Sequence, residues 1–468
     1  MIDVNTNLST VALLPKLERF FSLAGAKIRL LDSEWNPDQG SPVFTINGKY
    51  ATRGWTEWTQ GFQFGSALLQ FDATSNEEFL ELGRRRTLDL MSAHLTHTGV
   101  HDHGFNNVST YGNLLRMIEE GRIESSEWEK RFYELAIKVS GAVQASRWTD
   151  LPDDLGYVYS FNGPHSLFSD TIRSMRPVVW SHALGQVLQG EHDAIHNLLE
   201  RSLMHAETTA KFNVYFGKGR DAYDEYGRVV HESIFNLNDG AYRCPSSQQG
   251  YSPFTTWTRG QAWIICGFAE QLEFLLTVPA SEFEGINNLR FKDKKAVLER
   301  FRGVAVAAAE HYIRNSPTDG IPYWDTGAPG LASLGDYQDR PAEPHNSFEP
   351  VDSSAAAIAA QGLIRLGHVL SSIGVEDADR YLNAGLTIAS RLFEEPYLSA
   401  DPEHHGLLLH SVYHRPGGWD HIPEGQSIPC NEATMWGDYH AMELAVLIKR
   451  LAEGGYYQFA RWNNEQKG

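Results

Sequence analysis

The chain is poor in cysteine. It has three in 468 residues, Cys244, Cys266 and Cys430, an odd number with no CxxC pair and no metal-ligand spacing. That count excludes a disulfide framework and a cysteine-built metal centre, and the thiols read as buried or free in a reducing compartment. Long hydrophobic runs are also missing, so no stretch is apolar enough to span a membrane. The start, Met1-Ile2-Asp3-Val4-Asn5, has neither the basic residues nor the apolar run of a signal peptide, and the expected location is cytoplasmic. Positive charge is scarce too. Forty Lys and Arg stand against 59 Asp and Glu, a formal net charge of -19. A surface of that sign repels nucleic acid and anionic membranes, because phosphate binding needs a cationic face. An acidic ligand is admitted only where a few cations are placed locally, which allows a small, singly charged one and excludes a long polyanion.

What the chain does have is core material: 42% hydrophobic residues, of which aromatics supply a large share at 12% of the chain. A 3.6-residue apolar period marks about twelve helical segments, near residues 9–24, 57–71, 77–94, 107–120, 125–147, 170–187, 191–212, 257–276, 291–315, 352–371, 375–393 and 431–451. One strand region stands out, a small β-hairpin insertion near 222–241, where Arg228-Val229-Val230-His231 precedes the turn residues Asn238-Asp239-Gly240. Every second helix is apolar nearly all round, as in Ser354-Ala355-Ala356-Ala357-Ile358-Ala359-Ala360, whereas its predecessor carries charges on one face. A helix buried all round is apolar all round, so the pattern predicts an inner and an outer ring. The fold expected is all-α, an (α/α)6 toroid of six hairpins. No Pro-rich or low-complexity linker interrupts it, and residues 1–468 read as one domain, with 341–350 as a long loop.

In such a toroid the inner helices run parallel, so the loops that enter them share one face. Those loops hold Trp55, Trp58, Phe105, Tyr157, Phe161, Trp257, Trp263, Tyr323, Trp324 and Trp436. Flat rings are the wall that a pyranose C–H face stacks on, although aromatics also serve as packing. Two acids stand at helix entrances among them: Asp102 in Val100-His101-Asp102-His103-Gly104-Phe105, and Asp170 in Phe168-Ser169-Asp170-Thr171-Ile172. An aspartate there commonly caps the helix, and capping is compatible with chemistry. Paired carboxylates whose proton affinities are pushed apart are the minimum for acid and base work on a glycoside. His101-x-His103 is a metal-ligand pattern, but such pairs sit at strand ends. Here a helix and turn come before, so the two imidazoles are expected to point apart and no metal or cofactor is expected.

With those residues in hand, the chain resembles the unsaturated glucuronyl hydrolases of glycoside hydrolase family 88. The resemblance rests on ordered motifs between about Trp55 and Leu447: His101-Asp102-His103-Gly104-Phe105, Ser169-Asp170-Thr171, His231 before Gln249-Gly250-Tyr251, Trp257-Thr258-Arg259-Gly260-Gln261-Ala262-Trp263, Tyr323-Trp324-Asp325, Asp352-Ser353-Ser354-Ala355-Ala356-Ala357, and Gly437-Asp438-Tyr439. It implies an (α/α)6 barrel and a metal-free cytoplasmic enzyme that removes a 4,5-unsaturated uronic acid from the non-reducing end of oligosaccharides left by polysaccharide lyases. It makes Asp170 the general acid and base and Asp102 the residue that holds the sugar hydroxyls. His231, Gln249, Trp257, Arg259 and Trp263 line the subsite, with Trp55 or Trp58 as a wall. Asp170 is expected to start protonated, raised by aromatic burial and by the charge of Asp102.

Two departures from the family pattern lie beside the acids: His103, and Ile172-Arg173-Ser174 after the second aspartate. Arg173 and Arg176 are expected to meet an extra anionic group or to pair with surface acids, and Arg259 to hold the sugar carboxylate or to pair with Glu57 or another loop acid. Three other functions fit the same barrel: an unsaturated rhamnogalacturonyl hydrolase, which lacks the first aspartate motif; an epimerase or isomerase using two of His231, His410 and His414; and a silent carbohydrate-binding protein.

Overall fold

The computed structural model describes residues 1–54, 57–286 and 291–462. Outer and inner helices alternate as the apolar pattern predicts. The outer helices are α1 (Leu14–Glu34), α3 (Glu77–Leu90), α6 (Glu127–Ser146), α9 (Leu198–Phe212), α11 (Lys294–Asn315) and α13 (Ala378–Leu392). The inner positions are filled by α2 (Gln60–Thr74), by α4 (His103–Asn107) continuing into α5 (Asn113–Glu119), by α7 (Thr171–Ser174) with α8 (Arg176–Ala183), and by α10 (Thr258–Thr277), α12 (Ser353–Ser372) and α14 (Met435–Ala452). Each inner element packs on the next: α2 on the segment joining α4 to α5, α4 on α7, α7 on α10, α10 on α12, α12 on α14 and α14 back on α2, which closes the ring. The chain is an (α/α)6 toroid. One apolar cluster runs from Ile2 to Ala460 and includes nearly every apolar residue of α10, α12 and α14. Among the described residues no helix is long and apolar enough to cross a membrane.

Several boundaries differ from the periodicity, each for a local reason. The second inner helix begins at His103 rather than 107 and carries a π-turn, Val108–Gly112. There Thr110 Oγ1 donates to the Asn106 carbonyl at 2.7 Å and Asn113 Nδ2 to the Ser109 carbonyl at 2.9 Å, back-bonds that loosen the backbone ladder. The third ends at Ala183, where Gly185 at φ +80° takes the left-handed turn that stops a helix. Residues 188–196 form a short hairpin, and α9 starts only after Asn197, whose side chain accepts from Glu200 N at 3.1 Å.

Strands are few, and all but one pair sit at the site end. β1 (Phe44–Ile46) pairs with β2 (Lys49–Ala51), and β3 (Trp148–Leu151) with β4 (Leu155–Val158); β5 (Ser166–Phe168) pairs with β8 (Glu232–Phe235), which pairs with β9 (Tyr242–Ser246). The remaining pair is β6 (Leu188–Gln189) with β7 (Ile195–His196). The expected hairpin near 222–241 therefore moves to 232–246 and gains β5 as a third strand. Residues 228–230 run instead beside 213–215, with Tyr215 N donating to the Arg228 carbonyl and Val230 N to that of Asn213, both at 2.9 Å.

Candidate active site

Asp102 and Asp170 meet because two inner helices approach without side chains between them. A Cβ on Gly104 would lie 2.6 Å from both the Cα and the carbonyl oxygen of Ser174, so only glycine permits the contact. Ser174, one of the departures from the family pattern, fastens it. Its hydroxyl donates to the His101 carbonyl at 2.5 Å and accepts from Gly104 N at 3.1 Å, while Arg176 donates to the Gly104 carbonyl at 2.7 Å. Neither aspartate side chain caps its helix. At the neighbouring inner helices the caps are made in the usual way, by Asp352 to Ser354 N and Ala355 N and by Thr434 to Gly437 N.

The two carboxylates turn instead to one imidazole. His101 Nε2 is 3.3 Å from Asp170 Oδ1 and 3.8 Å from Asp102 Oδ1. The ring is 2% exposed, stacked under Phe161 and edge-on to Phe168, and its Nδ1 is buried without a hydrogen-bond partner among the described residues. His103 points the other way: Nε2 donates to the His97 carbonyl at 2.9 Å and Nδ1 accepts from Ser140 at 3.0 Å, with burial pushing this imidazole down to about 4. The expected divergence of the two rings is found.

Proton affinities correct the sequence-based expectation. Burial raises the Asp170 carboxyl, but the hydrogen bond and charge of His101, with His231 and Arg259 behind them, outweigh it and hold Asp170 below the usual range. Asp102 goes the other way, raised by burial and by the charge of Asp170. Burial lowers His101, yet the two carboxylates overcome this and lift it above an ordinary histidine. A lowered Asp170 beside a raised His101 favours the proton on His101, against the expectation that Asp170 starts protonated.

Around this core stand the other residues of interest. His231 Nδ1 accepts from Gln248 N at 3.1 Å, which leaves the proton on Nε2, and Nε2 is buried with no hydrogen-bond partner among the described residues. Burial lowers that imidazole to about 4, so it is a neutral donor awaiting an acceptor. Trp257 packs edge-on to His231 and carries the Arg259 guanidinium on its face at 4.6 Å. Arg259 pairs with Asp352 at 2.6 Å, not with Glu57, and also donates to the carbonyls of Val412 and Tyr413 and to Gln249 Oε1 at 3.1 Å. Trp58 stacks on Trp436 and touches Tyr413 and Phe105. Trp55 lies outside the described residues.

Most of the aromatic wall turns out to be core. Trp263 packs on Phe105 and His440, Trp436 is fully buried, and Tyr157 packs on Phe235. Trp324 donates to Glu349 and Tyr323 lies against Tyr337. Among the described residues of that wall, Phe161 is the exposed one, at 43%.

Arg173 and Arg176 are corrected as well. Both are buried and neither reaches a surface acid. Arg173 pairs with Glu270 at 3.0 Å and Glu443 at 2.7 Å, and bonds His440, in an ionic layer along the barrel axis beneath Trp263. His410 stands apart too, between His345 and Tyr397, so no histidine pair built on it converges with the acids.

Sequence reasoning missed one wall entirely. Residues 412–420 supply Tyr413, whose N–H and that of His414 bond Asp420, and Trp419, which lies under the Arg53 guanidinium at 4.0 Å. The segment has no helical period, and its only signal was its density of aromatic and polar residues.

No family model matches the chain. It is 25% identical over 424 residues to an unsaturated glucuronyl hydrolase of Bacillus sp. strain GL1, covering 89% of this chain and 92% of that one. It is 24% identical over 390 residues to an unsaturated glucuronyl hydrolase of Formosa agariphila, covering 83% and 78%. A crystal structure of an unsaturated glucuronyl hydrolase specific for heparin superimposes with a TM-score of 0.68 at 18% identity, over 95% of this chain and 99% of that one. The resemblance drawn from the motifs is borne out along nearly the whole chain.

Proposed function

We propose, for a chain similar along most of its length to the unsaturated glucuronyl hydrolases, that it removes a 4,5-unsaturated uronic acid from the non-reducing end of lyase-generated oligosaccharides by hydrating the C4=C5 bond. The observation that carries this reading is a buried imidazole shared by two carboxylates, next to a neutral histidine whose Nε2–H has no partner among the described residues. A vinyl ether asks for one proton at C4, one water at C5 and donors for the sugar's oxygens, and this site offers that set.

His101 passes its Nε2 proton to Asp170, and Asp170 delivers it to C4. Positive charge then develops at C5 and the ring oxygen, where the two carboxylates stabilise it. Water adds at C5 and returns a proton to Asp170 and thence to His101. The hemiketal opens by breaking the C5–O5 bond, which leaves a hemiacetal at C1, and that collapses to release the aglycone. Asp102 accepts from the sugar hydroxyls. His231 Nε2–H and the Gln249 amide donate to the ring substituents or carboxylate, while Arg259, already bonded to Asp352, contributes charge through Gln249 rather than a free N–H. The free cysteines fit a cytoplasmic setting.

The test is incubation with unsaturated disaccharides while following the ultraviolet absorbance of the conjugated double bond. Loss of absorbance with release of the second sugar supports the reading. Full retention across disaccharides of differing linkage contradicts it. A histidine-paired epimerase is disfavoured, because the two aspartates converge on His101 while His410 lies apart beside His345 and Tyr397.

A further inference from the structure

We infer that the sugar joined to the unsaturated uronide is uncharged: the mouth of this site accepts a neutral, unsulfated aglycone and discriminates against a sulfated one. The inference rests on the reading above and adds the substrate class. It starts from where cations are not. The loops entering the inner helices, residues 52–59, 97–102, 147–170, 213–257, 316–352 and 393–434, contain one lysine, Lys218, which lies in the exposed turn organised by Asp224.

The arginines nearest the two acids are engaged by the protein. Arg147, just behind His101, is held by the carbonyls of Thr98, Tyr159 and Ser160. Arg259 is held by Asp352 and two carbonyls. Arg53 lies on Trp419, and Arg415 acts on the buried Asp420 carboxylate. Arg243 is exposed, but it sits near the start of β9, about 20 Å of strand from the Gln249 end that enters the site.

What the mouth presents beside Asp170 is neutral or acidic. The exposed ring of Phe161 covers His101 and offers a flat face to a second pyranose. Next to it the Asn162 amide donates to Glu232 at 2.9 Å and accepts from Gln248 at 2.6 Å, and Ser166 donates to the same Glu232 carboxylate at 2.5 Å. Amides and a phenyl face suit hydroxyls and C–H surfaces. A sulfate here comes near the carboxylates of Asp102, Asp170 and the buried Glu232, while among the described residues the arginines closest to those acids already have protein partners, and desolvating an anion against like charges is unfavourable. The uronate's own carboxylate escapes this because it reaches His231 and the charge of Arg259 deeper in.

The experiment compares kcat/KM for unsaturated chondroitin disaccharides that are unsulfated, 4-sulfated and 6-sulfated, at low and high salt, with the Glu232→Gln variant alongside. The unsulfated substrate is expected to exceed each sulfated one by ten-fold or more. The gap is expected to narrow as salt screens the repulsion and to narrow again in Glu232→Gln. A sulfated disaccharide cleaved as well as the unsulfated one, or a gap that neither salt nor Glu232→Gln reduces, overturns the inference while leaving the hydrolase reading in place. No turnover of any of the three, or of an unsaturated uronide linked to glucose or rhamnose, overturns both.

Discussion

His101 Nε2 stands 3.3 Å from Asp170 Oδ1, and this one contact decides where the site keeps its proton. The imidazole is lifted above an ordinary histidine because Asp102 and Asp170 outweigh its burial, and the same contact lowers Asp170. As pH rises through the raised His101 value the shared proton is lost, so activity falls on the alkaline side. Replacing the ring with His101→Asn leaves Asp170 to hold its own proton. Its carboxyl, freed of the imidazole, titrates at lower pH than His101 did. The alkaline limb of kcat is expected to move to lower pH and kcat to fall about 100-fold, with KM changing less. A pH profile with an unmoved limb would show that His101 only fills space.

Gly104 and Ser174 bring the two acids together by backbone contact. Gly104→Ala places a methyl within 2.6 Å of Ser174 backbone atoms, and a backbone does not yield as a side chain does. The helices carrying Asp102 and Asp170 must then separate, at a cost of about 1–3 kcal/mol. Turnover should drop by at least ten-fold while the helical circular dichroism stays that of the parent. Full activity in this variant would mean that the approach of α4 to α7 is not needed.

Beneath the site, Glu443 accepts from Arg173, Tyr439 and Tyr457 with no exposure to solvent. Burial opposes its charge, but Arg173 and Arg176 hold the carboxyl well below the ordinary glutamate range. Its contribution to stability is therefore present above the unfolded-state value and lost only as pH falls through the depressed one. Glu443→Gln leaves two buried arginines under-compensated and should cost about 3–5 kcal/mol. In denaturant unfolding the deficit should be constant from neutral pH down to the glutamate range and shrink below it. A deficit that vanishes at neutral pH would remove the axial layer from the account of stability.

Much of this was legible in the sequence because it depends on local pattern. All-round apolar stretches such as 354–360 betray inner helices, and acids at helix entrances mark the site end. Other features depend on what a side chain meets after folding. Nothing local distinguishes Arg173, which points inward to Glu270 and Glu443, from an arginine that pairs at the surface. The state of Asp170 was misjudged for the same reason: burial and Asp102 were counted, but the imidazole between them was not. Gly104 was visible as a motif residue, yet its purpose, contact with Ser174, needed the second helix. The Tyr413 and Trp419 wall carries no periodicity at all.

The most direct measurement is the ultraviolet absorbance of an unsaturated disaccharide incubated with Asp170→Asn, beside the parent and Asp102→Asn. The parent should bleach the double bond. Asp102→Asn should do so more slowly, with its fold intact. Asp170→Asn should leave the absorbance standing, a loss of at least about 1000-fold or ~4 kcal/mol in the barrier, while still binding the disaccharide. Bleaching by Asp170→Asn at near-parental rate would contradict the claim that Asp170 delivers the proton to C4.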